Sequence, residues 1–125
     1  MQTTEIVLPD LFSLTPFPWA GCNPSFSKDD NHSTDWILSY SIFTEKMRER
    51  LGRTRIEILG ANTYNYADAK GLAIANDYIM LTTSLDELTD LMSPDDAKIT
   101  RDLVVNAMKG LSGADDSQVV TIAKE

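Results

Sequence analysis

The residues of this chain best suited to chemistry stand together in one short string, Asp86-Glu87-Leu88-Thr89-Asp90. Asp86 and Asp90 are one helical turn apart, so on a helix both carboxylates project from the same side. Like charges at that spacing repel, and carboxylates near a helix C-terminus also meet the negative end of the backbone dipole, so a compensating cation is expected. Mg²⁺ suits such a pair: it takes oxygen ligands, keeps several waters, and is held by one or two carboxylates together with the phosphates of a ligand. The bland alternative is a solvated helix end whose charges pair with distant Lys or Arg, because D-x-x-x-D strings are frequent on surface helices. A calcium loop of the EF-hand type does not fit, since the alternating Asp/Asn oxygens, the central Gly and the closing Glu are missing.

The string ends a strongly periodic segment. Over residues 68–88, Leu72, Ala75, Ile79, Thr82 and Asp86 recur at three- and four-residue steps, with Asp90 one turn further, which predicts a long helix. Asp86 follows Ile79 by seven residues, and Ile79 follows Leu72 by seven, so this pattern puts Asp86 on the inward face. Upstream, Thr44 is a candidate N-cap for a helix through Met47 and Leu51 that Gly52 weakens. Ile56, Ile58 and Leu59 resume it to about Gly60, and residues 62–66 read as a connection. Downstream, Ser93-Pro94-Asp95-Asp96 opens another helix with a cap, a first-turn proline and two acids against the positive dipole end; Gly110 closes it. Residues 111–118 read as a turn, and residues 119–125 open a further helix.

Residues 1–22 carry Pro9, Pro16, Pro18 and Gly21, a pattern that predicts an extended arm laid over the core with Phe12, Phe17 and Trp19 as anchors. Asn23-Pro24 reads as a helix start, and Trp36, Tyr40 and Phe43 follow at helical spacing, as core aromatics do. Nothing has the alternation needed for a sheet, so the fold class expected is all-α.

With 125 residues, 42% hydrophobic and 24% charged, the chain has the size and composition of one soluble domain. Its net charge of −8 argues against nucleic acid and against anionic membrane surfaces, both of which attract basic patches. The one basic cluster, residues 46–55, is interleaved with Glu49 and flanked by Glu45 and Glu57, which predicts ion pairs on helix surfaces. Cys22 and His32 are the sole residues of their types, so there is no internal disulfide and no Cys/His zinc site. No leader pattern and no run of roughly 20 apolar residues is present, and a cytoplasmic protein is the expectation.

Asp86-Glu87-Leu88-Thr89-Asp90 resembles the aspartate-rich D-(D/E)-x-x-D motif of class I terpene synthases. Residues 61–85 are similar to the helix that leads to this motif in fungal, basidiomycete-like sesquiterpene synthases. Phe17-Pro18-Trp19, Asn23-Pro24 and Trp36 resemble, in order, the N-terminal landmarks of that family. The resemblance implies an all-α fold around an apolar pocket, with Mg²⁺ at its mouth and a prenyl diphosphate, farnesyl diphosphate foremost, as substrate. It implies Asp86 as a direct metal ligand, Asp90 assisting and Glu87 supporting, with Ile79, Thr82 and Thr83 toward the substrate pocket; it assigns no certain catalytic residue. Thr82 and Thr83 replace the aromatics common there, whose ring faces stabilise carbocations, so a different cavity is implied.

The family's second metal motif, Asn/Asp-x-x-Ser-x-x-x-Glu on a later helix, and its late Arg and Arg-Tyr contacts to diphosphate have no counterpart in residues 1–125. The chain is therefore expected to be one incomplete domain, an arm at 1–22 and a helical region at 23–125 containing the first helices of the fold, truncated and inactive alone. The other reading is a non-catalytic helical module that binds a partner or self-associates through exposed apolar faces.

Overall fold

Local signals decide where most of the helices begin. The computed structural model describes residues 6–111 and 117–125. Among these are seven helices and no strand: α1 (Leu11–Leu14), α2 (His32–Leu38), α3 (Glu45–Arg53), α4 (Ile56–Thr63), α5 (Ala69–Thr89), α6 (Pro94–Met108) and α7 (Gln118–Lys124). The fold is all-α, as the sequence predicts. Thr44, Asp68 and Ser93 each accept a hydrogen bond from an amide in the first turn of α3, α5 and α6. At the far end of α6, Gly110 takes a φ of 71°. Its amide bonds Ala107 O and the next amide bonds Asn106 O, the paired closure of a Schellman motif. The turn expected at 111–118 falls mostly outside the described residues, as do the first five residues of the arm.

Five expectations are corrected. The arm is not continuously extended: Asp10 accepts from the amides of Phe12 and Ser13 and winds the single turn of α1. Its aromatics are not anchors, because Phe12, Phe17 and Trp19 are all more than 70% exposed. The prolines hold the arm away from helical geometry, and no described element packs against those rings. Asn23-Pro24 does not start a helix either. The buried Asn23 side chain donates to Tyr64 O and Ala67 O, both at 2.8 Å, and accepts from Ser25 N, so it clasps the loop between α4 and α5. The break between α3 and α4 comes at Arg55, at a φ of 52°, and not at Gly52, which stays helical. Finally, α2 stops at Leu38, so Phe43 reaches the core from the following loop rather than along a helix face.

The core joins Ile37 of α2, Met47 and Leu51 of α3, Ile56 of α4, and Met80, Leu81 and Leu88 of α5 with Val104 of α6 and Ile122 of α7. Helix α5 is its axis and contacts α2, α3, α4 and α6, while α7 lies on α6. The C-terminal turn is tied back to α2 and the loop after it: the Glu125 carboxylate accepts from Trp36 Nε1 at 2.9 Å and from the Tyr40 hydroxyl. These donors, Trp36 first, hold the Glu125 carboxyl below its ordinary range. Burial, with the carboxylate beside it, holds the Tyr40 hydroxyl above its own.

The buried stripe of α5 is Leu72, Asn76, Met80, Ser84 and Leu88, rotated from the predicted one. Two of its members are small polar residues, which a hydrophobic pattern passes over. Asn76 is seated against Gly60 of α4, where an added Cβ would lie 1.7 Å from Asn76 Oδ1. Gly60→Ala is therefore expected to destabilise the fold by about 1–3 kcal/mol in urea titrations. Adding Asn76→Ala to it should recover part of that loss, because the clash is with the amide group itself.

Candidate active-site groove

Rotation of the stripe sets what the acidic string can reach. With Asn76, Ser84 and Leu88 turned inward, Asp86 and Asp90 stand exposed instead of on the inward face that the sequence pattern predicts. Neither side chain has a hydrogen-bond or ion-pair partner among the described residues. Asp86 borders a cavity of about 530 Å³ between α5 and α6, lined from α5 by Tyr78, Leu81, Thr82, Leu85 and Thr89 as well. Asp90 caps the C-terminus of α5 outside that lining.

Glu87 points elsewhere. It accepts from Arg50 Nη1 of α3 at 2.7 Å, with 23% of its own side chain and 62% of the Arg50 side chain exposed. This is the pairing with a distant arginine that the bland reading of the acidic string expects; of the pairs expected of the basic cluster, Arg53 with Glu49 at 2.6 Å forms on the surface, whereas Glu57 is buried and accepts from Thr34 instead. Of the expected pocket residues, Thr82 lines the cavity and bonds its hydroxyl back to Tyr78 O and Ile79 O. Ile79 packs against the core cluster, and Thr83 is half-buried outside the lining.

The opposite wall comes from α6, whose two ends alone are marked by local sequence signals. Pro94, Ala97, Lys98, Arg101, Val104, Val105 and Met108 of α6 recur at helical steps and all face the cavity. That spacing was readable in the sequence, but nothing there said which neighbour the face would meet. Because four residues join α5 to α6, the second helix runs back beside the first. The polar groups Asp86, Thr89 and Lys98 then gather near the turn, and Tyr78, Leu81, Val105 and Met108 lie toward the other end.

Among the described residues there is no cluster of three or more His, Cys, Asp or Glu side chains able to hold a metal ion. Asp86 and Asp90 supply two free carboxylates one turn apart. That fits Mg²⁺ shared with the phosphates of a ligand, and does not fit a cation caged by these residues alone. No helix among the described residues is long and apolar enough to cross a membrane.

The chain is of the all-α class and carries an aspartate without a side-chain partner among the described residues, Asp86, at the border of a largely apolar groove. Comparison with known proteins narrows this class. The chain is 33% identical over 122 residues, 98% of its length, to the bifunctional terpene synthase Agr4 of Cyclocybe aegerita, covering 35% of that protein. It is equally 33% identical over 121 residues, 97% of its length and 35% of the relative, to a Coprinopsis cinerea protein named linoleate 10R-lipoxygenase COP4. A sesquiterpene synthase of Galerina marginata is 29% identical over 94% of the chain and 34% of its own length. Over nearly its whole length, the chain is homologous to the N-terminal third of fungal sesquiterpene synthases. It spans about a third of the length of these relatives. No family model matches the chain. No solved structure matches it either.

The exposure of the Arg50–Glu87 pair sets its worth. Glu87→Gln is expected to change stability by less than about 1 kcal/mol in chemical denaturation. A loss well above that would mean that Glu87 is held by more than this one pair.

Proposed function

We propose that this chain provides the aspartate-bearing wall of the active site of a Mg²⁺-dependent sesquiterpene synthase, one that acts on a prenyl diphosphate, farnesyl diphosphate foremost. The observation that carries this reading is Asp86, a carboxylate unpaired among the described residues at the border of an apolar groove, in a chain homologous to such enzymes. Asp86 and Asp90 are the residues that would hold Mg²⁺, Asp86 as the direct ligand and Asp90 through a second oxygen or a water. When bound, the metal supplies Lewis-acid activation of a diphosphate leaving group. Glu87 supports the pair from beside it, through its surface ion pair with Arg50 of α3. Leu81, Leu85 and Val104 supply apolar wall that keeps water from the prenyl chain. The net charge of −8 is consistent with a diphosphate that is met through cations. A cytoplasmic location accords with this chemistry.

The test is calorimetric titration of the 125-residue chain with farnesyl diphosphate, with and without Mg²⁺, alongside mass spectrometry of volatile products. Metal-dependent binding that weakens about tenfold or more in Asp86→Ala, at unchanged helicity, is the expected result. Equal affinity in the variant would sink the assignment of Asp86. Since two carboxylates do not enclose a metal, the chain alone is expected to bind without sustained turnover, and steady product formation would overturn that expectation.

A second reading has its own observation. Ile6, Val7, Leu8, Leu11, Phe12, Leu14, Phe17 and Trp19 all stand largely exposed, a density of apolar side chains that favours association. In this reading the chain is a helical module that self-associates through its arm. A sharp dimer in size-exclusion chromatography that becomes monomeric on Phe12→Ser/Trp19→Ser is its expected signature; a monomer at all concentrations dismisses it.

A further inference from the structure

The cavity between α5 and α6 is graded in a way that the aspartates do not account for. Lys98, about one turn into α6, lines it at the turn end with Asp86, Arg101 lies about one turn further along the same wall, and beyond them the walls are Tyr78, Val105 and Met108. Lys98 has no ion-pair partner among the described residues. Among the described residues Arg101 is paired only with its neighbour Asp102, at 2.6 Å, with both side chains more than half exposed. Such a pair is worth little and yields readily to a better anion. A groove whose α6 wall carries two cations ahead of an apolar remainder matches an anionic head on a hydrocarbon tail. A volume of about 530 Å³ lies within the ordinary range of small-molecule sites.

We infer that Lys98 and Arg101 are head-group contacts for an amphiphilic phosphate, binding it directly and without metal, with its tail running toward Met108. The inference rests on the proposed function in taking this cavity as the ligand site, and it adds a set of contacts independent of Mg²⁺. Asp86 then acts in two opposite senses. Without metal its negative charge repels the phosphate that Lys98 and Arg101 attract, whereas with Mg²⁺ it is needed. The occupant is a single soluble amphiphile and not a bilayer, because a chain of net charge −8 is repelled by an anionic surface.

The experiment is titration of the whole chain with monomeric dodecyl phosphate in EDTA. Binding is expected, weakened about tenfold in Lys98→Ala/Arg101→Ala and tightened severalfold in Asp86→Asn. Butyl phosphate, lacking the tail, and dodecanol, lacking the charge, should each bind far more weakly than dodecyl phosphate. All three substituted positions are exposed, so the variants should keep their helicity. Unchanged affinity in Lys98→Ala/Arg101→Ala, or dodecanol binding as well as the phosphate, overturns the inference. Co-sedimentation with phosphatidic acid vesicles that depends on Lys98 overturns it in favour of a lipid surface. Failure of the metal reading is separable, because that reading requires Asp86→Asn to lose Mg²⁺-dependent binding, whereas this one requires it to gain metal-free binding.

Discussion

The close approach of α4 to α5 at Gly60 is the constraint on which the rest of the domain depends. Only a residue without a Cβ leaves room for the Asn76 side chain, whose Oδ1 would otherwise meet that carbon at 1.7 Å. Once Asn76 is turned toward α4, the rotation of a 21-residue helix is settled along its whole length, because each residue advances by a fixed angle. Met80, Ser84 and Leu88 then go to the interior, and Tyr78, Thr82, Leu85 and Asp86 are left to the α6 side. The acidic mouth at Asp86 thus follows from a contact about three turns away along the helix.

Polar groups elsewhere in the interior hold this arrangement in register. Glu57, 1% exposed, accepts from Thr34 N at 2.9 Å and from its hydroxyl at 3.2 Å, so a carboxylate from α4 caps the first turn of α2. Ser33 donates to Asp77 at 2.6 Å and ties the same turn to α5. Asn23 fastens the loop that precedes α5 from outside. Buried polar contacts of this kind are satisfied in one geometry only, so they select a single packing of α2, α4 and α5 where apolar contacts alone would tolerate several.

The two ends of the chain contrast. The C-terminal turn is drawn into the body by Val119, Val120 and Ile122 and by the bonds of Glu125 to α2 and the loop after it. The N-terminal arm has local order at α1, but its aromatics stand largely exposed, without a tertiary partner among the described residues. Proline and one capping aspartate are enough to shape such a segment, yet without apolar contact they give it no place on the core.

By itself the sequence determined what depends on near neighbours: the all-α class, the caps at Thr44 and Ser93, the closure at Gly110 and the long helix that ends in the acidic string. These rest on hydrogen bonds and dihedral preferences within a few residues, so residue type at fixed spacing reveals them. The resemblance of that string and its upstream landmarks to sesquiterpene synthases was legible for the same reason, and homology over nearly the whole chain agrees. Tertiary structure alone decided which face of α5 is buried, that Asn23 clasps a loop rather than starting a helix, and that Glu87 turns to Arg50 while Asp86 turns to a groove. Small polar residues such as Asn76 and Ser84 carry no hydrophobic signal, and their burial is set by a glycine on another helix. Contacts between residues far apart in sequence leave no periodic trace in it, and so the groove appears only once the helices are packed.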